Sequence, residues 1–172
     1  MFDVFDQVPP EGISPQELEK LQEHIASIQN KGLSFVEKYL IRWSLTDDRS
    51  YEKAPADINQ PLGYDFTVID KTNKRYVCAK STEGSFDNPF HISSNELLQM
   101  REAVAYDLYR VYEITKTNAK LRIARNMKPF AGSVLAIMEQ LREGVRPDSV
   151  SVLPSVLNFE DFLLLEIPDD EE

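Results

Sequence analysis

Asp65 and Lys80 are the two residues whose types and spacing suit chemistry on a phosphate. Asp65 sits in the step Gly63-Tyr64-Asp65-Phe66, and Lys80 in the run Tyr76-Val77-Cys78-Ala79-Lys80-Ser81-Thr82. A carboxylate holds a hard divalent cation through oxygen. A lysine beside it orients or activates a water for attack on phosphorus. Residues 64–69 and 75–81 are β-prone, and the polar link Asp70-Lys71-Thr72-Asn73-Lys74 between them predicts a hairpin. The two side chains then meet at one end of adjacent strands. On residue types alone, a plain cross-strand ion pair is the simpler account.

Other reactive types are sparse. The chain has one cysteine, Cys78, and two histidines, His24 and His91. No internal disulfide and no Cys/His zinc site of the usual kind is expected. A strand cysteine reads as a small buried hydrophobe. His91 precedes a helix cap and reads as a surface neighbour of it. Arg110, Lys120, Arg122 and Arg125 are the candidate nucleic-acid-binding residues, with a solvated charged face as the alternative. Trp43 and Tyr39 read as core.

The elements that must position these groups follow from pattern. Residues 1–13 read as an arm, with Phe2, Val4 and Phe5 able to dock and Pro9-Pro10 ending regular structure. Ser14-Pro15-Gln16-Glu17 is a capping box with proline at the first helical position. Leu18, Leu21, Ile25 and Ile28 follow at helical spacing, and Gly32 is expected to break or bend the run. A second helical face reads Phe35, Val36, Tyr39, Leu40 and Trp43. Residues 46–63 are polar with two prolines and read as loop. Residues 83–90 form another loop. Ser93-x-x-Glu96 opens a helix to about Val104. Residues 106–114 are strongly β-prone, 121–124 add a short strand, and 133–142 form a helix closed by Gly144. Residues 150–167 are strand-prone, and Phe159 to Ile167 is expected to pack on the core. Helices flanking such strands imply an α/β or α+β sandwich with a mixed central sheet.

The composition is globular: 172 residues, 42% hydrophobic and 28% charged. No apolar run reaches the roughly 20 residues of a membrane span, so no membrane partner is expected. The acidic start, with Asp3 and Asp6, carries no secretion signal pattern. A lone cysteine suits a reducing, cytoplasmic setting. Charge is uneven: −5 over residues 1–30, +3 over 31–130 and −8 over 131–172. Sixteen of the nineteen basic residues lie in that middle stretch, so a local nucleic-acid site survives the acidic total.

Five blocks occur in one order: Gly32-Leu33-Ser34-Phe35-Val36, Gly63-Tyr64-Asp65-Phe66, the run 76–82, Phe90-His91-Ile92-Ser93-Ser94-Asn95-Glu96, and Tyr106-Asp107-Leu108-Tyr109-Arg110-Val111-Tyr112. Together they resemble the NO VEIN C-terminal domain family over about residues 30–125. That family is similar to the PD-(D/E)XK restriction nucleases. The resemblance implies a restriction-endonuclease-like mixed sheet flanked by helices, with a helical N-terminal extension. Beyond the span of the resemblance, the expected division is a core over residues 14–130, N-terminal helices included, with residues 131–172 packed on it as a C-terminal helix and acidic extension.

The resemblance also places Asp65 at the family's metal-binding aspartate and Lys80 at its active-site lysine. Cys78 stands at the motif glutamate two residues earlier, and Leu33 at the helix glutamate. Thiol and aliphatic side chains supply no oxygen to Mg²⁺, so Asp65 alone is a weak metal ligand. The expectation is a catalytically degenerate, nuclease-like module. It would work in nucleic acid handling or genome defence by binding nucleic acid or a partner protein, without a cofactor. One alternative is an active nuclease using Mg²⁺, with a relocated carboxylate from Glu37, Glu52 or Asp57. The other is a purely protein-binding adaptor.

Overall fold

The computed structural model describes residues 12–56 and 62–167. The proposed N-terminal arm to residue 11, Asp57 and the acidic end from residue 168 lie outside the described residues.

One long helix, α1 (Pro15–Trp43), opens the fold. Ser14 caps it: its Oγ accepts the Glu17 N–H, and Glu17 Oε2 accepts the Ser14 N–H in return. The expected break at Gly32 does not occur. A Cβ at that position would lie 1.8 Å from Ser81 Oγ and 2.6 Å from Ser81 Cβ. The glycine therefore lets the helix approach a strand, and the helix continues through it. From Ile28 onward the apolar stripe is buried (Phe35, Val36, Leu40), while Leu21 and Ile25 remain exposed.

The polar stretch read as loop contains β1 (Arg49–Lys53). Its alternation is muted because it is an edge strand, with only Tyr51 packing inward against Phe66. Then come β2 (Phe66–Asp70) and β3 (Asn73–Ser81), the expected hairpin, closed by pairing of Asp70 with Asn73. Next are β4 (Phe90–Ser93), α2 (Ser94–Glu102), β5 (Tyr106–Tyr112), β6 (Asn118–Ala124) and α3 (Lys128–Glu139). The last helix thus starts five residues earlier than its apolar spacing implied, with Pro129 in its first turn. The C-terminal stretch divides into β7 (Ser149–Val152), a 3₁₀ turn (Pro154–Val156) and β8 (Leu163–Glu166).

Six strands form one mixed sheet in the order β1-β2-β3-β5-β6-β8. Among the described strands only β3 and β5 run parallel, with Cys78 opposite Leu108 and Lys80 opposite Arg110. A parallel pair needs a crossover, and here the crossover carries α2. β4 and β7 form a separate antiparallel ribbon.

Strand alternation divides the core between the two faces. Val77, Ala79, Tyr109 and Val111 join α1 in one cluster. Cys78, Tyr106 and Leu108 join Leu97 and Met100 of α2 and Ala131 and Leu135 of α3 in the other. Every residue of β5 is buried, as befits a strand covered on both faces. Each fully buried aliphatic side chain contributes about 1.5–3 kcal/mol. β5 also buries two charged side chains, Arg110 and Asp107. The Asp107 carboxylate accepts from Arg75 Nε at 2.7 Å, Arg125 Nη1 at 3.1 Å and the Asn126 N–H at 3.0 Å. Those bonds outweigh burial and hold its pKa below the usual carboxylate range.

Candidate functional site

Asp65 immediately precedes β2. Its N–H donates to Val77 O and its carbonyl accepts from Ala54, so its backbone is locked between β1 and β3. Its carboxylate turns to β3, where Oδ2 accepts the Ala79 N–H at 2.7 Å. A side chain thus replaces the main-chain partner that β3 loses where β2 begins. Burial holds the Asp65 carboxyl above its ordinary range, against the opposing pull of the Ala79 N–H and of Lys80.

Lys80 lies two residues after Cys78 and shares its face of β3. Its ammonium is 2.7 Å from both carboxylate oxygens of Glu96. Burial depresses the Lys80 pKa, and the Glu96 charge more than reverses this, so it ends raised. Glu96 is the N3 residue of α2, and its Oε2 also accepts the Ser93 N–H at 2.8 Å. The capping box therefore aims this carboxylate at β3. Reading Ser93-x-x-Glu96 only as a cap misses that second role.

Cys78 is fully buried and faces the Tyr106 hydroxyl. Burial pushes its thiol far up, so it stays protonated and packs as a hydrophobe. The Tyr106 hydroxyl donates to the Gly63 carbonyl at 2.5 Å. Gly63 has φ +72, and an added Cβ would lie 3.1 Å from the Asn95 carbonyl. Tyr106 and Gly63 thus clamp the chain entering Asp65 against the start of α2.

Leu33 packs in the α1 cluster, on the face of the sheet that holds Val77 and Ala79. The fold divides it from Cys78 and Lys80. Glu37 is also on α1, bound by Lys53 Nζ at 2.7 Å and Tyr51 OH at 3.2 Å. Glu52 is exposed on the edge strand β1. The carboxylate found at Lys80 is none of these; it is Glu96.

Both Glu96 oxygens are held by Lys80, and one Asp65 oxygen is held by a backbone N–H. Among the described residues no three His, Cys, Asp or Glu side chains gather as a metal centre requires.

The four basic residues do not form one open cationic face. Arg110 is 1% exposed, donates to Lys80 O at 3.3 Å and Asn88 O at 2.7 Å, and lies over the Phe90 ring. Burial lowers its pKa to about 10. Lys120 pairs with Glu113 at 2.5 Å. Arg122 donates to Glu160 O and Phe159 O and stacks on Phe86 at 4.3 Å. Arg125 bridges Asp107 and Glu160. His91 is exposed on β4. Among the described residues no helix is long and apolar enough to cross a membrane.

Neither the curated proteins nor the solved structures include a match to the chain. The family model described as protein NO VEIN, C-terminal, matches residues 29–124. That span runs from the middle of α1 to the end of β6, and so contains Asp65, Lys80, Glu96 and Tyr106 but not α3, β7 or β8. It exceeds half of the chain, and the chain belongs to this NO VEIN C-terminal family.

Proposed function

We propose that this chain is a catalytically silent module with a restriction-endonuclease-like core over residues 14–130. The part of its C-terminal segment 131–172 that the structure describes, to residue 167, packs on that core, and the module acts by binding rather than cutting. The observation that carries the reading is the closed Lys80–Glu96 pair with neutral Cys78 beside it. A lysine held on both oxygens of one carboxylate is not available to orient a water. No cofactor enters the reading. Nucleic acid handling or genome defence is the setting, nucleic acid or a partner protein the binding target, and the lone cysteine supports a cytoplasmic location.

The test is direct. Purified chain with Mg²⁺ or Mn²⁺ leaves supercoiled plasmid DNA and single-stranded RNA intact. Cutting that is lost in Asp65→Ala overturns the reading.

One observation favours a second reading, an active nuclease. Glu96 does bring a carboxylate to Lys80, although from α2 rather than from Glu37 or Glu52. Under that reading plasmid cutting occurs and disappears in both Asp65→Ala and Glu96→Gln.

A further inference from the structure

Sheet register sets three cations in one row. Lys80 of β3 stands opposite Arg110 of β5, and Arg110 stands opposite Arg122 of β6. Residues directly opposite one another share a face of the sheet, and like charges so placed repel. Glu96 answers the charge of Lys80. Among the described residues no carboxylate pairs with Arg110 or Arg122.

The groups that the two guanidiniums bond and stack on are all neutral. Buried Arg110 has the Lys80 and Asn88 carbonyls and, 5.1 Å away, the Phe90 ring. Half-buried Arg122 has the Glu160 and Phe159 carbonyls and the Phe86 ring. Carbonyl dipoles and ring faces relieve a desolvated cation only in part. Arg110 also has an edge left half used. Its Nη2 donates to Asn88 O, while the neighbouring Nε is buried with no hydrogen-bond partner among the described residues. These two N–H groups form the fork that a guanidinium presents to two oxygens of one oxyanion.

The cover over that fork is the turn 83–90, whose residues Asp87, Asn88 and Pro89 are exposed. Long bonds hold Asn88 within it: its N–H donates to Ser85 O at 3.2 Å, its Oδ1 accepts from Ser85 Oγ at 3.4 Å, and its Nδ2 donates to Thr82 Oγ1 at 3.5 Å. We infer that Arg110 and Arg122 form a receptor for a phosphate dianion, free or as the monoester of a small molecule, which displaces the Asn88 carbonyl and fills the Arg110 fork. Charge selects this ligand. A dianion balances two guanidiniums, whereas each phosphodiester of a nucleic acid carries one charge and balances half of the pair. The receptor is independent of whether the chain cuts or binds a nucleic acid.

The test uses the full chain at constant ionic strength and about pH 7.5, where a phosphate monoester is a dianion. It is titrated with inorganic phosphate, with AMP and with succinate, a dianion of different shape. NMR is expected to show saturable shifts of the Arg110 and Arg122 Nε–H resonances and of the Asn88 amide with phosphate, while the Nε–H of Arg42, exposed on α1, stays in place. Phosphate raises the melting temperature by mass action, and succinate raises it less. AMP binding tighter than phosphate assigns the receptor to a monoester, and AMP binding no tighter assigns it to free phosphate. Arg110→Lys keeps the charge but loses the fork, and it weakens phosphate binding by at least about tenfold. Arg122→Gln, at the more exposed position, weakens it as much and carries the test where Arg110→Lys does not fold. Arginine resonances that phosphate leaves unmoved, a succinate effect equal to that of phosphate, or undiminished phosphate binding in folded Arg122→Gln overturns the proposal.

Discussion

The ammonium of Lys80 on β3 lies 2.7 Å from each carboxylate oxygen of Glu96 on α2, with Lys80 4% and Glu96 19% exposed in their side chains. This pair ties the central strand to the crossover helix. Removing one member strands the other charge, which costs about 3 kcal/mol for a buried pair. Lys80→Met and Glu96→Gln should each destabilise by about that amount, glutamine keeping the capping box. The double variant should cost less than the sum, by about 1–3 kcal/mol. Urea unfolding of the four proteins measures this, and strict additivity would show that the pair is not coupled.

Asp107 predicts a pH dependence. Its native pKa lies below the unfolded value because Arg75 and Arg125 hold the carboxylate. A depressed acid contributes stability above its unfolded pKa and loses that contribution as pH falls through the native pKa. Asp107→Asn should therefore destabilise by about 2 kcal/mol at pH 7, discounted because both arginines are partly exposed. The gap between parent and variant should close as pH falls below about 4. A constant gap from pH 7 to pH 3 would refute the assignment.

Gly32→Ala places a methyl against Ser81 across the α1–β3 contact. Overpacking of this kind costs about 1–3 kcal/mol, although alanine is the better helix former by about 1 kcal/mol. Ser81→Gly removes the clashing atoms and should recover part of the loss. The comparison is thermal melting of the two single variants and the double. A stabilised Gly32→Ala would mean that the helix stands farther from the strand.

Cys78→Glu probes the silent site. The new carboxylate would sit fully buried beside Asp65 and Glu96, raising its own pKa and lowering stability. It also adds a third oxygen donor on the Lys80 face, whereas Leu33→Glu would start from the α1 face. Thermal shift should show the Cys78→Glu chain melting below the parent without metal and gaining more than the parent from Mn²⁺. An equal metal response would show that position 78 is not a lost ligand position.

Local pattern was enough to specify the α1 cap, the β2–β3 hairpin, the capping box at Ser93 and the strand through Arg110. Each is specified by neighbours a few residues apart, through side-chain spacing and local hydrogen bonds. It also specified the NO VEIN C-terminal family, through blocks whose order needs no coordinates. The features that local pattern did not reveal depend on partners distant along the chain. Gly32 reads as a breaker until Ser81, 49 residues away, is seen to need the space. β1 is too polar to announce itself, because its burial comes from one face of one edge. Arg110 and Arg125 look like surface cations until the sheet closes over one and Asp107 and Glu160 engage the other. Glu96 looks like a cap alone, because the lysine it holds lies on a strand that folding brings beneath the helix. A local pattern reports which way a side chain points, and only packing reports what it meets.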